Sequence, residues 1–466
     1  MQSHRILNAI AAPILLPGLD AGGQSLYPGR MRILILTLGS RGDVQPYAAL
    51  GAVLKARGHD VTLATGQGFE DMIEAQGLAA TPLTDDVRKM IQTPEMQKAL
   101  RTFSGKVRAW RASKGMYRRQ LDEMWAVAQD VRPDMLVYHH PKGLAAQSIA
   151  EALGITAIPT ALIPAYIPTG AFPSPGLPLG DLGSFGNRTS HRLVVGLMSR
   201  LLAGQIGAWR RDSLGLAARP PRDLFAGHHP ENRAVLRLHG FSRHLVPPPG
   251  DWGVKEEITG YWFSDSPADW RPPEELARFL EAGPPPVYVG FGSMPAEDAE
   301  HLTRTVLEAL TLAGRRAVLA TGWGGLAAGI AEDQTAAQVH ALESAPHAWL
   351  FPRCAAVVHH GGAGTTHEGL RWGRPSILCP VFGDQPFWGR QVLKAGAGPP
   401  PLPQKRLTAA ALAAALAATE DPSLRARAAA LGEALRAEPG AAGAAAAIDG
   451  LATGEPAAKD RRAAGQ

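Results

Sequence analysis

Arg32–Leu38 is a nearly unbroken apolar run, the pattern of a central parallel strand covered on both faces. The polarity then alternates in blocks. A short Gly-rich loop leads into an amphipathic stretch, Tyr47–Arg57, which stops at Gly58, and a second apolar run covers His59–Ala64. Met135–Tyr138 and Thr156–Leu162 repeat the strand signal, with a helical pattern over Gly143–Leu153 between them. From Ile163 to Ser190 the rhythm breaks. Pro164, Pro168, Pro173, Pro175 and Pro178 mark a long irregular loop, and an amphipathic helical stretch, His191–Arg211, follows with Trp209 near its end.

Pro267, Pro272, Pro273 and the triple Pro284–Pro286 flank one short helical segment, Glu274–Leu280, and make the clearest boundary in the chain. After it the pattern starts over. Strand Val287–Phe291, a Gly292-Ser293 turn, helix Ala299–Leu312 and strand Ala317–Ala320 precede further strands at Val357–His359 and Ser376–Cys379. Residues 407–451 are Ala-rich, and the spacing of Arg425, Arg427, Glu433 and Arg436 through them predicts helices rather than low-complexity sequence. The fold expected is α/β: two doubly wound Rossmann-like domains, 31–263 and 287–451, joined by a Pro-rich linker, 264–286, and facing each other across a cleft. Residues 1–30 read as a disordered leader or a start placed too early, with a faint signal-peptide likeness in Ile6–Leu16, and 452–466 as a disordered tail.

Composition narrows the function. The chain has 466 residues, 45% hydrophobic and 19% charged, with a net charge of +5, which is a globular composition long enough for two or three domains. No basic block with interleaved aromatics points to nucleic acid. Two cysteines, Cys354 and Cys379, exclude a disulfide framework and a Cys-based zinc site and suit a reducing cytoplasm. No stretch has the length of a membrane span, so any membrane association would be peripheral.

The candidate chemistry sits at strand ends. Val357–His360 runs into Gly361-Gly362-Ala363-Gly364-Thr365-Thr366, and Glu368-Gly369-Leu370 continues a helix. Glycines admit a ligand to the backbone, and the free N–H groups of a helix start attract anions, so a diphosphate is the expected guest. His360 can donate to a phosphate oxygen, and Glu368, one turn in, can accept from ribose hydroxyls. Asp384 and Gln385, leaving the next strand, can grip vicinal hydroxyls of a hexose; Asp384 can equally cap the helix Phe387–Lys394. Gly292-Ser293 offers further donors. In the first domain Gly39-Ser40-Arg41-Gly42-Asp43 makes a tight loop, with Asp43 at or near the N-cap of a helix beginning at Pro46 or Tyr47. That aspartate is a helix cap or a general base.

The run from Ala345-Pro346-His347 through Leu350-Phe351-Pro352 to HHGGAGTTHEGL and PVFGDQP resembles the donor-binding signature of the UDP-glycosyltransferase superfamily. It is most similar to the branch that includes sterol glucosyltransferases and the macrolide and glycopeptide antibiotic glycosyltransferases. The resemblance implies a GT-B fold and an inverting transfer from a UDP-sugar to a hydroxyl of a small lipophilic acceptor, with no metal and no cofactor. It further implies Asp43 as the base, and His360, Gly362, Gly364, Thr365 and Ser293 at the diphosphate. Glu368 would hold the ribose, Asp384 and Gln385 the sugar, and the segment ending at His347 the uracil. Where plant members carry a tryptophan that stacks on the base, Ser344 stands. Plant members also use a histidine in the loop that holds Asp43 here. The absence of an Asp-x-Asp motif argues against a metal-dependent transferase. The acceptor is expected against the first domain, walled by Tyr166, Ile167, Phe172, Leu177 and Phe185, with His139 and His140 as acceptor contacts or an auxiliary base, or else as an ordinary polar strand end. Two other classes remain: a nucleotide-sugar epimerase on the same fold, and a non-catalytic nucleotide-sugar-binding protein.

Overall fold

The computed structural model describes residues 29–84, 93, 103–143, 145–219, 225–266, 270–292, 299–321 and 338–452. The leader, Ser293 and the tail beyond residue 452 lie outside the described residues.

The first sheet has seven strands: β1 (Arg32–Leu36), β2 (Asp60–Gly66), β3 (Ala79–Leu83), β4 (Met135–His139), β5 (Thr156–Ala161), β6 (Arg237–His239) and β7 (Glu256–Ile258). Their spatial order is β3-β2-β1-β4-β5-β6-β7, and every pairing is parallel. Ile33 and Ile35 enter one apolar core and Leu34 and Leu36 the other, which is why β1 reads as continuous hydrophobicity instead of alternation. The second sheet contains β8 (Val287–Gly290), β9 (Ala317–Ala320), β10 (Val339–Leu342), β11 (Ala356–His359) and β12 (Ser376–Leu378), in the order β10-β9-β8-β11-β12, again parallel throughout. Here Val287 and Val289 face one core and Tyr288 the other.

Both sheets reverse their strand order once, between β1 and β4 in the first and between β8 and β11 in the second. Loops leaving the carboxyl ends of strands at such a switch point diverge and leave a crevice. The four loops concerned carry Thr37–Ser40, His140–Gly143, Phe291–Gly292 and His360–Gly362. A shared apolar layer joins the two halves, with Phe241, Leu245 and Ile258 on one side and Leu370, Phe387, Trp388 and Leu435 on the other.

Some boundaries differ from expectation. The first helix spans Arg41–Ala56, six residues longer at its start, with Ser40 as N-cap and Pro46 inside it. The helix begins early because Ser40 and Asp43 form a capping box, which satisfies first-turn donors ahead of the proline. The helix expected from His191 runs Gly183–Leu214. The last helix, Gly440–Ala452, falls within the residues assigned to the second domain but packs on the first sheet: Ala444, Ala445 and Ile448 join the core around Ile33 and Ile35. Asp449 fixes it there by accepting from Arg57 Nε at 2.6 Å and pairing with His59 Nε2 at 2.7 Å. Among the described residues no helix is long and apolar enough to cross a membrane.

Candidate active site at the two switch points

Asp43 lies in the first turn of the helix that follows β1. Its Oδ2 accepts from Ser40 N at 2.8 Å and from Ser40 Oγ at 2.9 Å, so it serves the helix start from the third helical position, with Ser40 and not Asp43 at the N-cap. The same carboxylate does more than cap. Its Oδ1 lies 2.5 Å from Nζ of Lys142, which comes from the loop after β4 on the other side of the switch point. Burial pushes the Asp43 carboxyl up, but the Lys142 ammonium, His139 and the Ser40 donors outweigh it and hold the group below its ordinary value. Gly39, at φ +127°, leaves the space this cluster needs: a β-carbon there would land on the Asp43 carboxylate and the Lys142 ammonium.

Thr37 connects the next layer. Its hydroxyl donates to Asp43 O at 2.9 Å and lies 3.0 Å from His139 Nδ1. With the threonine proton committed to the carbonyl, the His139 proton sits on Nδ1 and leaves Nε2 as the acceptor. Burial pushes His139 and His140 down to about 3, so both rings are neutral. His140 is packed edge-on against Tyr166, with ring centroids 4.3 Å apart, and beside Phe225 at 4.6 Å. Phe172 reaches across to the second domain, its ring 5.3 Å from Phe387. Phe185, expected in the acceptor wall, instead points to solvent at 84% exposure, because it sits on the outer side of its helix.

In the second domain, Gly361 turns the chain at φ +94°. A β-carbon there would press on the Gln385 carbonyl at 3.2 Å, so glycine is required. The helix Ala363–Arg371 follows, with Gly362 at its N-cap, and Thr366 Oγ1 bonds back to Gly362 O at 2.8 Å. The first-turn N–H groups of Ala363, Gly364 and Thr365 have no acceptor within the helix. His360 leans over this start and against Gly292: a β-carbon on Gly292 would lie 2.8 Å from His360 Cε1, and one on Gly362 2.6 Å from His360 Nε2. Burial pushes His360 down to about 4, and its buried Nδ1 has no hydrogen-bond partner among the described residues.

Glu368 is buried. Its Oε1 accepts from Trp372 Nε1 at 2.8 Å and lies 3.5 Å from Arg371 Nη1. Burial raises its pKa against those two partners. Asp384 stands at the N-cap of the helix Gln385–Lys394 but makes no capping bond; its Oδ2 accepts from Trp388 Nε1 at 2.7 Å instead. Burial raises Asp384 as well, and the negative charge of Asp43 adds to that rise. Gln385 Oε1 accepts from Val381 N at 2.8 Å, which ties the amide to its own loop. His347 lies flat on Phe351, ring centroids 4.3 Å apart, with Nε2 3.2 Å from the Tyr288 hydroxyl.

The two halves meet here. A β-carbon on Gly364 would lie 3.0 Å from the Tyr261 hydroxyl and 3.9 Å from Gly42 Cα, and Tyr261 stacks on His367 at 4.5 Å. Asp43 is thus pushed down and Glu368 and Asp384 pushed up, and Asp43 and Asp384 lie near enough across the two halves to act on each other. A separation of that kind sorts acid–base roles. Lys142 and Tyr261 were not singled out from the sequence. Lys142 stands two residues beyond the noted His139-His140 pair, in the loop opposite Asp43, and the strand order was the signal that would have found it. Among the described residues no group of His, Cys, Asp and Glu is arranged to hold a metal ion.

Comparison with known proteins follows the same division. Residues 33–169 match the glycosyltransferase family 28 N-terminal domain, and residues 332–451 match the C-terminal domain of the erythromycin biosynthesis protein CIII-like family. A sterol 3-beta-glucosyltransferase of Emericella nidulans is 36% identical over 413 residues, covering 86% of this chain and 29% of that protein. One from Arabidopsis thaliana is 33% identical over 407 residues, covering 85% of this chain and 61% of that protein. The chain thus spans less than two thirds of the length of either relative. The crystal structure of the kitacinnamycin glycotransferase superposes with a TM-score of 0.67 at 21% identity, over 91% of this chain and 99% of the other, and shares the fold.

Proposed function

This chain belongs to the UDP-glycosyltransferase superfamily, with its two-domain GT-B fold, and on that footing we propose that it transfers a hexose, glucose first among them, from a UDP-sugar to a hydroxyl of a small sterol-like acceptor, with inversion and without a metal ion. The observation that carries the reading is convergence. A carboxylate kept ionised at the switch point of one sheet faces a glycine-rich helix start at the switch point of the other.

The steps follow from those positions. The acceptor hydroxyl gives its proton to Asp43 as its oxygen attacks the anomeric carbon. The bond from that carbon to the diphosphate oxygen breaks, and the electron pair leaves with UDP. The first-turn N–H groups of Ala363, Gly364 and Thr365 and the neutral His360 ring receive the departing charge. One direct displacement turns an α-linked donor into a β-glycoside. Glu368 and Asp384, anchored by Trp372 and Trp388, present carboxylate oxygens for ribose and hexose hydroxyls. The acceptor lies against Tyr166 and Phe172, and the enzyme works at a membrane periphery when that acceptor is a membrane lipid.

The test is calorimetric titration with UDP, TDP and GDP in EDTA, followed by transfer from UDP-glucose to a sterol with the anomeric configuration of the product read by NMR. Preferential UDP binding and a β-glucoside formed in EDTA support the reading. No nucleotide binding, or turnover that returns only on adding a divalent cation, overturns it.

A further inference from the structure

We propose that the outer face of the helix Gly183–Leu214 is a docking surface for an anionic lipid bilayer. This deepens the functional reading and rests on its lipophilic acceptor.

From Arg192 to Gln205 no residue of this helix is buried, although the stretch includes Leu193, Val194, Val195, Leu197, Met198 and Leu201. Phe185 is 84% exposed, Leu193 65% and Leu197 58%, and Leu201 is exposed as well. Leu193, Leu197 and Leu201 follow each other at four-residue steps, so they share one side of the helix, and Phe185 is a further exposed position near its start. β-Carbons added at Gly196 and Gly204 would meet nothing within 4 Å. The outer side of the middle of the helix is therefore open, while Val194, Val195, Met198 and Leu202 on its other side are half-buried, and its fully buried residues lie at its ends. Asn187, Ser190 and His191 are buried at one end, and Ile206, Trp209 and Arg210 at the other. A monomer in water rarely leaves such a row uncovered.

Charge selects the occupant. From Leu182 to Arg211 the sequence contains no Asp or Glu. Exposed Arg192 and Arg200 directly precede Leu193 and Leu201, and neither has a carboxylate at ion-pair distance among the described residues. Leucines that enter the acyl layer beside guanidinium groups at headgroup level fit a surface of phosphates. A second copy of the same face would set Arg192 and Arg200 against their equivalents, which opposes a symmetric dimer there.

Position ties the surface to the site. His191 Nδ1 and Nε2 lie 3.1 Å from the carbonyl oxygens of Ala165 and Phe172, and Ser190 Oγ accepts from Ser174 N at 2.8 Å. The loop that carries Tyr166 and Phe172 is thus bonded to the base of the helix. A protein seated on this face holds its acceptor wall next to the lipid that supplies the acceptor.

The experiment uses the full chain and sedimentation with phosphatidylcholine vesicles, with and without phosphatidylglycerol, at low and high salt. The wild type is expected to bind the phosphatidylglycerol vesicles and to release at high salt. A Leu193→Glu/Leu197→Glu/Leu201→Glu variant should bind about tenfold or more weakly. Arg192→Gln/Arg200→Gln should lose the preference for anionic lipid. UDP binding and glucosylation of a short water-soluble alcohol should persist in both variants, which shows that they fold. No vesicle binding by the wild type, or equal binding by the leucine variant, overturns the proposal. So does a wild-type dimer that the leucine variant dissolves while vesicle binding stays. Loss of all transfer in the wild type with vesicle binding intact would overturn the functional reading and leave the surface standing.

Discussion

Lys142 Nζ and Asp43 Oδ1 lie 2.5 Å apart, one from the loop after β4 and the other from the first helical turn after β1, on the two sides of the switch point of the first sheet. The pair sets the state of the proposed base. Burial alone would keep Asp43 protonated to higher pH, and the ammonium reverses that. The same ammonium also draws Asp384 downward from the opposite domain, so a single cation acts on both carboxylates nearest the transfer.

The depressed Asp43 pKa places the acid limb of kcat/KM below the usual carboxylate range, with activity present above that pKa and lost as pH falls through it. Lys142→Met removes the ammonium and leaves the upward push of burial. The limb should move to higher pH, while UDP affinity holds. A pH–rate profile checks this, and a limb that does not move would show that Lys142 does not set the base.

Asp43→Asn keeps the size of the side chain and can still accept from Ser40, but it cannot take a proton. Turnover should fall by about a thousandfold while calorimetric affinity for UDP is kept. A parallel loss of UDP affinity would move Asp43 from proton transfer to structure.

Glu368→Ala removes the acceptor for Trp372 and the oxygens offered to the donor's ribose. Donor affinity should weaken by about tenfold, near 1.4 kcal/mol, with UDP binding measured directly and not through KM. Unchanged affinity would leave Glu368 as an anchor for Trp372 alone.

Much of this was readable in advance because two-sided burial writes itself into sequence. Val357–His359 and the glycines after it announced a strand, a turn and a helix start, and Gly361 is at the left-handed φ that such a turn needs. What stayed illegible lacks that signal. β6 and β7 are three-residue strands whose side chains include Arg237, His239 and Glu256, and Glu256 bonds both of the others. No apolar run marks them. The sequence points to a late start for the first helix because Pro46 reads as a helix start, whereas a capping box upstream already begins the turn. Lys142 was invisible for another reason. Its partner is 99 residues away, and only the strand order brings them together.

The end of the chain carries the last prediction. Asp449 Oδ2 accepts from Arg57 Nε at 2.6 Å and Oδ1 lies 2.7 Å from His59 Nε2. His59 Nδ1 accepts from Met31 N at 3.3 Å, so the ring proton is on Nε2, and a neutral imidazole suffices for the bond. These contacts fasten Gly440–Ala452 to the first domain although the chain reaches it from the second. Asp449→Ala would remove the carboxylate that Arg57 Nε and His59 Nε2 share, in a site that is nearly closed to water. That costs about 3 kcal/mol. Unfolding of a two-domain chain need not be two-state, so the measurement is amide hydrogen exchange over residues 440–452. Exchange there should accelerate in Asp449→Ala and much less in Asp449→Asn, which keeps one acceptor oxygen. Equal protection in all three proteins would mean that Ala444, Ala445 and Ile448 hold the helix by packing alone.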